Sequence, residues 1–299
     1  MLYHKKRIGI ALSTALLSSL FVTSSHAETG HYVNGAEGLK AATVPTEGFY
    51  YRSYNIFYNA NRLTNKDGDE LPVNFDVSVY AMANRFIWMT KHKFLGADVG
   101  MDIVVPLVRT HIKIGAAGID EDEFNVGDIN IEPLILSWHK KRYDAVVAAS
   151  FYAPTGNYSA KDPASPGKGF WTGMLTFGGT YYLNPSKTWS ASILSRYEFH
   201  GEQDETDMTA GDDFHFEWGI GKSIGTWEVG AVGYQQWQVT EDSGKGATDV
   251  KDRVSAAGLE VNKFIPSIKT VVSLRALKEF GAKDRSEGST VTLTLTKIF

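Results

Sequence analysis

Apolar and polar residues alternate with a period of two along most of this chain, the signature of β-strands with unlike faces. Leu95, Ala97, Val99, Met101, Ile103, Val105 and Leu107 share one face, opposite Asp98 and Asp102. Tyr143, Ala145, Val147, Ala149 and Phe151 oppose Asp144 and Ser150; Trp189, Ala191, Ile193 and Tyr197 oppose Ser190, Ser192, Arg196 and Glu198. Phe214, Phe216, Trp218 and Ile220 oppose His215 and Glu217. At the very end Val291, Leu293 and Leu295 alternate with four threonines before Phe299. The pattern predicts strands at 49–62, 73–89, 94–113, 127–138, 142–153, 170–183, 187–200, 213–223, 226–240, 252–262, 267–280 and 289–299, and no helix beyond residue 48.

The connections between these strands alternate strictly in length. Short ones fall at 90–93, 139–141, 184–186, 225 and 263–266, and long ones at 63–72, 114–126, 154–169, 201–212, 241–251 and 281–288. A soluble sandwich has no reason to sort its loops this way. An antiparallel transmembrane β-barrel does, with both termini on the short-turn side. The fold expected is therefore an all-β barrel of about 12 strands over residues 49–299, with apolar outer faces and polar inner ones. Its last strand needs a partner to leave no free edge, and the strand near Phe49 is the candidate.

The N-terminus supplies an address. Lys5, Lys6 and Arg7 precede an apolar run from Ile8 to Val22, and Ser25-His26-Ala27 offers small residues for a cut before Glu28. Residues 1–27 are thus expected to be a cleaved signal peptide, the run being short and serine-interrupted for an anchor. Residues 28–48 are polar, glycine-containing and aperiodic, a lead-in or a segment folded into the lumen. A chain ending on an aromatic residue in an alternating strand resembles bacterial outer-membrane barrels, in which Phe299 would be the signal read by the barrel-assembly machinery. Lys297 departs from that pattern at a position where an apolar residue is expected.

Composition narrows the chemistry. There is no cysteine, which excludes disulfides, thiolate metal sites and a cysteine nucleophile. The net charge of −4 falls to about −7 once the three leader cations are removed, which argues against a nucleic-acid partner. No nucleophile–base–orienting group arrangement and no phosphate-cradling glycine loop is apparent, so no catalytic residue, cofactor or metal is assigned. The acidic stretches Asp120–Glu123 and Gln203–Asp213 are solvated loop surface or, more sharply, divalent-cation contacts to lipopolysaccharide in the surrounding outer-membrane lipid.

Sorting the strand faces puts Asp76, Asp98, Asp102, Asp128, Glu132, Asp144, Glu198, Glu217, Glu228 and Glu279 inside, against Arg196 and Arg275 as the clear strong bases. Arg196 with Glu198, and Arg275 with Glu279, are the expected pairs, and His215 beside Glu217 belongs to an interior polar network. The surplus of carboxylates predicts a hydrated, acid-leaning passage suited to neutral or cationic solutes.

Several stretches together resemble the outer-membrane transporter family associated with the meta-pathway of phenol degradation. They are His31 to Gly38, Gly48-Phe49-Tyr50-Tyr51, Gly127-Asp128 with Pro133-Leu134 and Trp138, Tyr152 to Tyr158, Arg196-Tyr197-Glu198-Phe199, Tyr234-Gln235-Gln236 and Lys278 to Arg285. The resemblance implies an uptake channel for hydrophobic compounds, with an N-terminal segment as a lumen plug by analogy with fatty-acid transporters. Arg196, Glu198, Arg275 and Glu279, joined by Tyr234 and Gln236, are the passage residues it suggests, with a small hydrophobic or aromatic molecule as the solute; alternation alone adds His215 and Glu217 to the lumen lining. A structural or adhesion barrel with a closed polar lumen is the other reading.

Overall fold

A computed structural model describes residues 30–299; the expected leader and its cleavage point lie outside the described residues. The barrel wall consists of β1 (Gly48–Leu63), β2 (Phe75–Phe94), β3 (Ala97–Ile114), β5 (Ile129–His139), β6 (Tyr143–Ala153), β7 (Thr172–Tyr182), β8 (Trp189–His200), β11 (Asp213–Ile224), β12 (Trp227–Gln238), β14 (Arg253–Ile265), β15 (Thr270–Lys283) and β16 (Ser286–Ile298). Between them lie β4 (Ile119–Val126) and the two-residue strands β9 (Glu202–Gln203), β10 (Met208–Thr209) and β13 (Ser243–Gly244). All wall pairings are antiparallel, and β1 closes the ring by pairing β2 on one side and β16 on the other. Phe57 faces Val291 and Tyr50 faces Ile298 across the seam, so the last strand finds the expected partner.

Wall strands run from 11 to 20 residues, long enough to cross a bilayer when tilted. Aromatic side chains ring both ends of the outer surface. Phe49, Trp88, Tyr143, Tyr181, Trp189, Trp227 and Phe299 are exposed near the short turns, and Phe57, Trp171, Phe199 and Phe280 near the long loops. Such girdles mark the two bilayer interfaces. Lys297 sits at the short-turn rim, where its ammonium donates to the Ile268 carbonyl at 2.6 Å, so its charge never enters the apolar band.

Several expectations need correction. The last connection, expected to be long at 281–288, is the two residues Asp284 and Arg285, because both flanking strands run on past their expected ends. The short turn expected at 263–266 falls at 266–269, because β14 runs on to Ile265. The segment 114–126 is not an open loop. It folds into β4, which pairs β3 beyond the bilayer, because Arg109, His111 and Lys113 stand where Asp120 and Asp122 can answer them. The first short turn is Leu95–Gly96, not 90–93. Both residues have positive φ, and Thr90 to Phe94 continue β2 past a bulge, so Leu95 leaves the strand face assigned to it. Asp76 points outward: its neighbour Val77 packs inside with Ala60 and Ile112, and Asp76 faces the outward Lys113.

A plugged lumen as the candidate functional site

The lumen is occupied. Residues 30–47, which have no repeating secondary structure, thread through it and hydrogen-bond to the inner face at every level. A barrel of this size would otherwise enclose inward polar groups needing water or partners. The segment supplies the partners from its side chains and its backbone alike.

At the loop end His31 bonds Asp128 Oδ2 through Nε2 (2.9 Å) and Thr172 Oγ1 through Nδ1 (2.7 Å), its ring stacked on Tyr152. Burial lowers the His31 pKa despite the hydrogen bond it donates to Asp128, so the ring is neutral near pH 7. Next, the Tyr32 backbone N–H donates to Glu198 Oε1 at 3.0 Å and its hydroxyl to Glu217, while the Arg196 guanidinium lies 3.7 Å above its ring. His215 bridges Asn34 Oδ1 (2.8 Å) and Glu198 Oε2 (2.7 Å). Glu217 accepts a further bond from the Glu37 N–H at 2.9 Å. Four of the expected passage residues therefore grip three residues of the plug.

Glu37 is the centre of the segment. Its two oxygens take Arg52 Nη1 at 2.6 Å and Arg85 Nη1 at 2.7 Å, with the Tyr54 hydroxyl at 2.9 Å. Burial opposes its ionisation, but Arg52, Arg85 and Arg196 outweigh it and hold the carboxyl at about 2. Arg85 also binds Asp102 and Glu132 on the wall. Gly38, with φ near +70°, lies so close to Glu260 and Arg275 that a Cβ would land on the carboxylate. Beyond it the Leu39 N–H donates to Glu260 Oε2 at 3.2 Å, and the Leu39 side chain rests on Gly219, Gly221 and Gly230, where wall side chains are missing. Lys40 reaches Glu228 at 2.6 Å and Thr43 reaches Asp144 at 3.1 Å.

The expected pairs are not formed as written. Arg275 binds Glu260 at 2.6 Å, the residue directly across the β14–β15 ladder. Glu279 lies four residues along the same strand, about 13 Å away, whereas directly opposed side chains stand about 5 Å apart. It instead accepts from the Tyr234 (2.6 Å) and Tyr58 (2.9 Å) hydroxyls and the Gly288 N–H. Arg196 likewise meets Glu217 on the neighbouring strand at 3.4 Å, leaving Glu198 to His215 and Tyr32. Gln236 bridges Asp213 and Asp252 and accepts from Arg285. Face sorting overlooked Arg52, Arg85, Arg285, Glu260 and Asp213; alternation with outward Tyr51, Phe86 and Phe214 was the available signal. Arg85, Arg285 and the plug amides answer several of the inward carboxylates, and residues 30–47 fill the lumen where a hydrated, acid-leaning passage was expected. Among the described residues no group of three or more carboxylates or histidines is arranged to hold a metal ion.

Below Glu37, toward the short-turn end, the lumen changes character. Ile135, Val146, Ala148 and Leu194 face inward and pack on Ala42, Ala41 and Val44 of the plug. A cavity of about 50 Å³ remains there, bounded above by Arg52, Arg85 and Arg196.

A closed barrel with an apolar outer band, two aromatic girdles and a filled polar interior is an outer-membrane protein, its short turns periplasmic and its long loops extracellular. The chain belongs to the family described as "Putative MetA-pathway of phenol degradation", whose model matches residues 60–295. No curated protein matches it by sequence. Among solved structures it is similar to an outer-membrane channel from Pseudomonas putida, with a TM-score of 0.78 and 13% identity over 90% of this chain and 100% of that one. The β-domain of a Bordetella autotransporter superposes with a TM-score of 0.51 and 10% identity over 85% of this chain and 100% of that one. At these identities the likeness is one of fold.

Proposed function

We propose that this protein is a channel through which small hydrophobic or aromatic compounds pass the outer membrane passively, with residues 30–47 as a stopper that must yield for passage. The observation that carries this reading is the apolar inner wall of Ile135, Val146, Ala148 and Leu194 under the stopper. A barrel lumen lined for ions or sugars is polar throughout, whereas these side chains would contact an apolar solute once Ala41, Ala42 and Val44 moved aside. The family's association with phenol degradation is consistent with an aromatic solute. In this reading Arg196, Glu198, His215, Glu217 and Arg275 hold the stopper, and Tyr234, Gln236 and Glu279 frame the passage above the apolar chamber. Removal of residues 1–27 on export, insertion guided by Phe299 through the barrel-assembly machinery, and a lipopolysaccharide surround belong to the same proposal.

One observation favours the structural barrel as a second reading: the cavity of about 50 Å³ holds no more than a water or two. Uptake separates the two. Cells carrying the protein should accumulate labelled toluene, phenol or short alkanes faster than cells lacking it; equal rates for every compound would favour the structural barrel.

A further inference from the structure

The lipid-facing side of β1 and β2 differs from the strands beside it. Between the girdle residues Phe49 and Phe57 the outward positions of β1 are Tyr51, Ser53 and Asn55; on β2, between Trp88 and Tyr80, they are Phe86, Asn84 and Met82. Ser53 and Asn84 are directly opposed. The outward residues at this depth are Val291, Leu293 and Leu295 on β16, and Ile103, Val105 and Leu107 on β3. Two carboxamides and a hydroxyl are thus grouped near mid-bilayer within an aliphatic wall.

The two flanking tyrosines turn toward this group. Tyr51 donates to Asn84 Oδ1 at 2.6 Å and Tyr80 to Asn55 Oδ1 at 3.0 Å. Tyrosines at a bilayer interface ordinarily direct the hydroxyl to the headgroups, so here the amide oxygens have drawn them inward. The amide nitrogens are served less well. Asn55 Nδ2 has only 3.4 Å contacts to Ser53 Oγ and the Leu293 carbonyl, and Asn84 Nδ2 contacts of 3.4 and 3.3 Å to the Met82 and Val105 carbonyls. Those are long for N–H···O bonds, and hydrocarbon offers no acceptor in compensation.

We propose that this surface is where two copies of the chain meet in the membrane. A carboxamide both donates and accepts. A two-fold contact bringing Asn55 and Asn84 of one copy against those of the other gives each underused N–H an amide oxygen. A second copy necessarily carries the same groups at the same depth.

The absence of cysteine makes the test clean. Met82→Cys places a thiol beside the amides without removing them, and Ile193→Cys places one on the outward face of β8, across the barrel. In phospholipid vesicles a short bis-maleimide should give a covalent dimer from Met82→Cys and little from Ile193→Cys. Adding Asn55→Leu and Asn84→Leu to Met82→Cys should lower the dimer yield about tenfold, with the folded band on an unheated gel unchanged. Equal cross-linking at the two sites overturns the proposal, as does a folded amide-free variant that cross-links undiminished. Should the double leucine variant not fold, Asn55→Val alone serves, and the comparison between the two thiol positions stands without it.

Discussion

Glu37 and Arg85 lie 48 residues apart and meet at 2.7 Å inside the barrel, joining the plug to the wall near its middle. Arg52 holds the other carboxylate oxygen. Removing one partner from a buried, hydrogen-bonded ion group costs about 3–5 kcal/mol. Glu37→Ala should therefore loosen residues 30–47 and leave the wall intact. Trypsin cutting after Lys40 in detergent-solubilised protein reads this directly. The rate should rise by roughly two orders of magnitude, and an unchanged rate would mean that other contacts hold the plug.

Docking should weaken in acid in two windows. The His31 pKa is lowered from 6.5, so below pH 6.5 the released ring gains a proton that the docked ring, buried against Asp128 and Thr172 with Lys168 nearby, resists. Glu37 is held at about 2 against an ordinary 4.5, so its contribution is complete above pH 4.5 and disappears as pH falls toward 2. That shift corresponds to about 3 kcal/mol. Open probability in planar bilayers should accordingly rise from pH 7.5 to 5.5 and again to 3.5. His31→Gln should remove the first step and keep the second. A channel that opens less in acid would contradict the assignment.

Arg275→Ala and Glu279→Gln should differ although both residues line the same wall. The first strands the Glu260 carboxylate and frees the Gly35 carbonyl, so it should cost about 3–5 kcal/mol and release the plug. The second can keep the Tyr58 and Gly288 donors on its amide oxygen and donate its amide N–H to the Tyr234 hydroxyl oxygen, so it should cost about 1–2 kcal/mol. The temperature at which the folded band disappears on a gel should fall further for Arg275→Ala. Equal shifts would argue that the Arg275–Glu260 pair is not special.

Gly38→Ala tests fit without altering charge. The new methyl collides with Glu260 and forces a non-glycine residue into a left-handed conformation. Trypsin sensitivity at Lys40 should approach that of Glu37→Ala. Wild-type protection in this variant would show that the plug backbone can shift freely.

The wall was legible in the chain because burial of one face and lipid on the other impose a strict period of two, as in Trp189–Tyr197 and Phe214–Ile220. β1 is harder to read, since Arg52, Tyr54 and Tyr58 inside are matched by Ser53, Asn55 and Asn59 outside, leaving little contrast between faces. Inward direction was readable for Arg275 and Glu279, but partnership depends on register across a hairpin, and the turn position that sets it cannot be taken from alternation alone. The same limit moved the first turn from 90–93 to Leu95–Gly96. The plug is the hardest part. It has no periodicity, and its polar groups make sense only against an inner face assembled from strands as distant as β2 and β15.

Transport itself is the central claim, and uptake by cells measures it most directly. With equal surface expression, cells carrying the wild-type chain should take up labelled toluene and phenol faster than cells without it, and Glu37→Ala should raise the rate further. If wild type and Glu37→Ala both match cells lacking the protein for every aromatic and alkane tested, the lumen is not a route for such solutes.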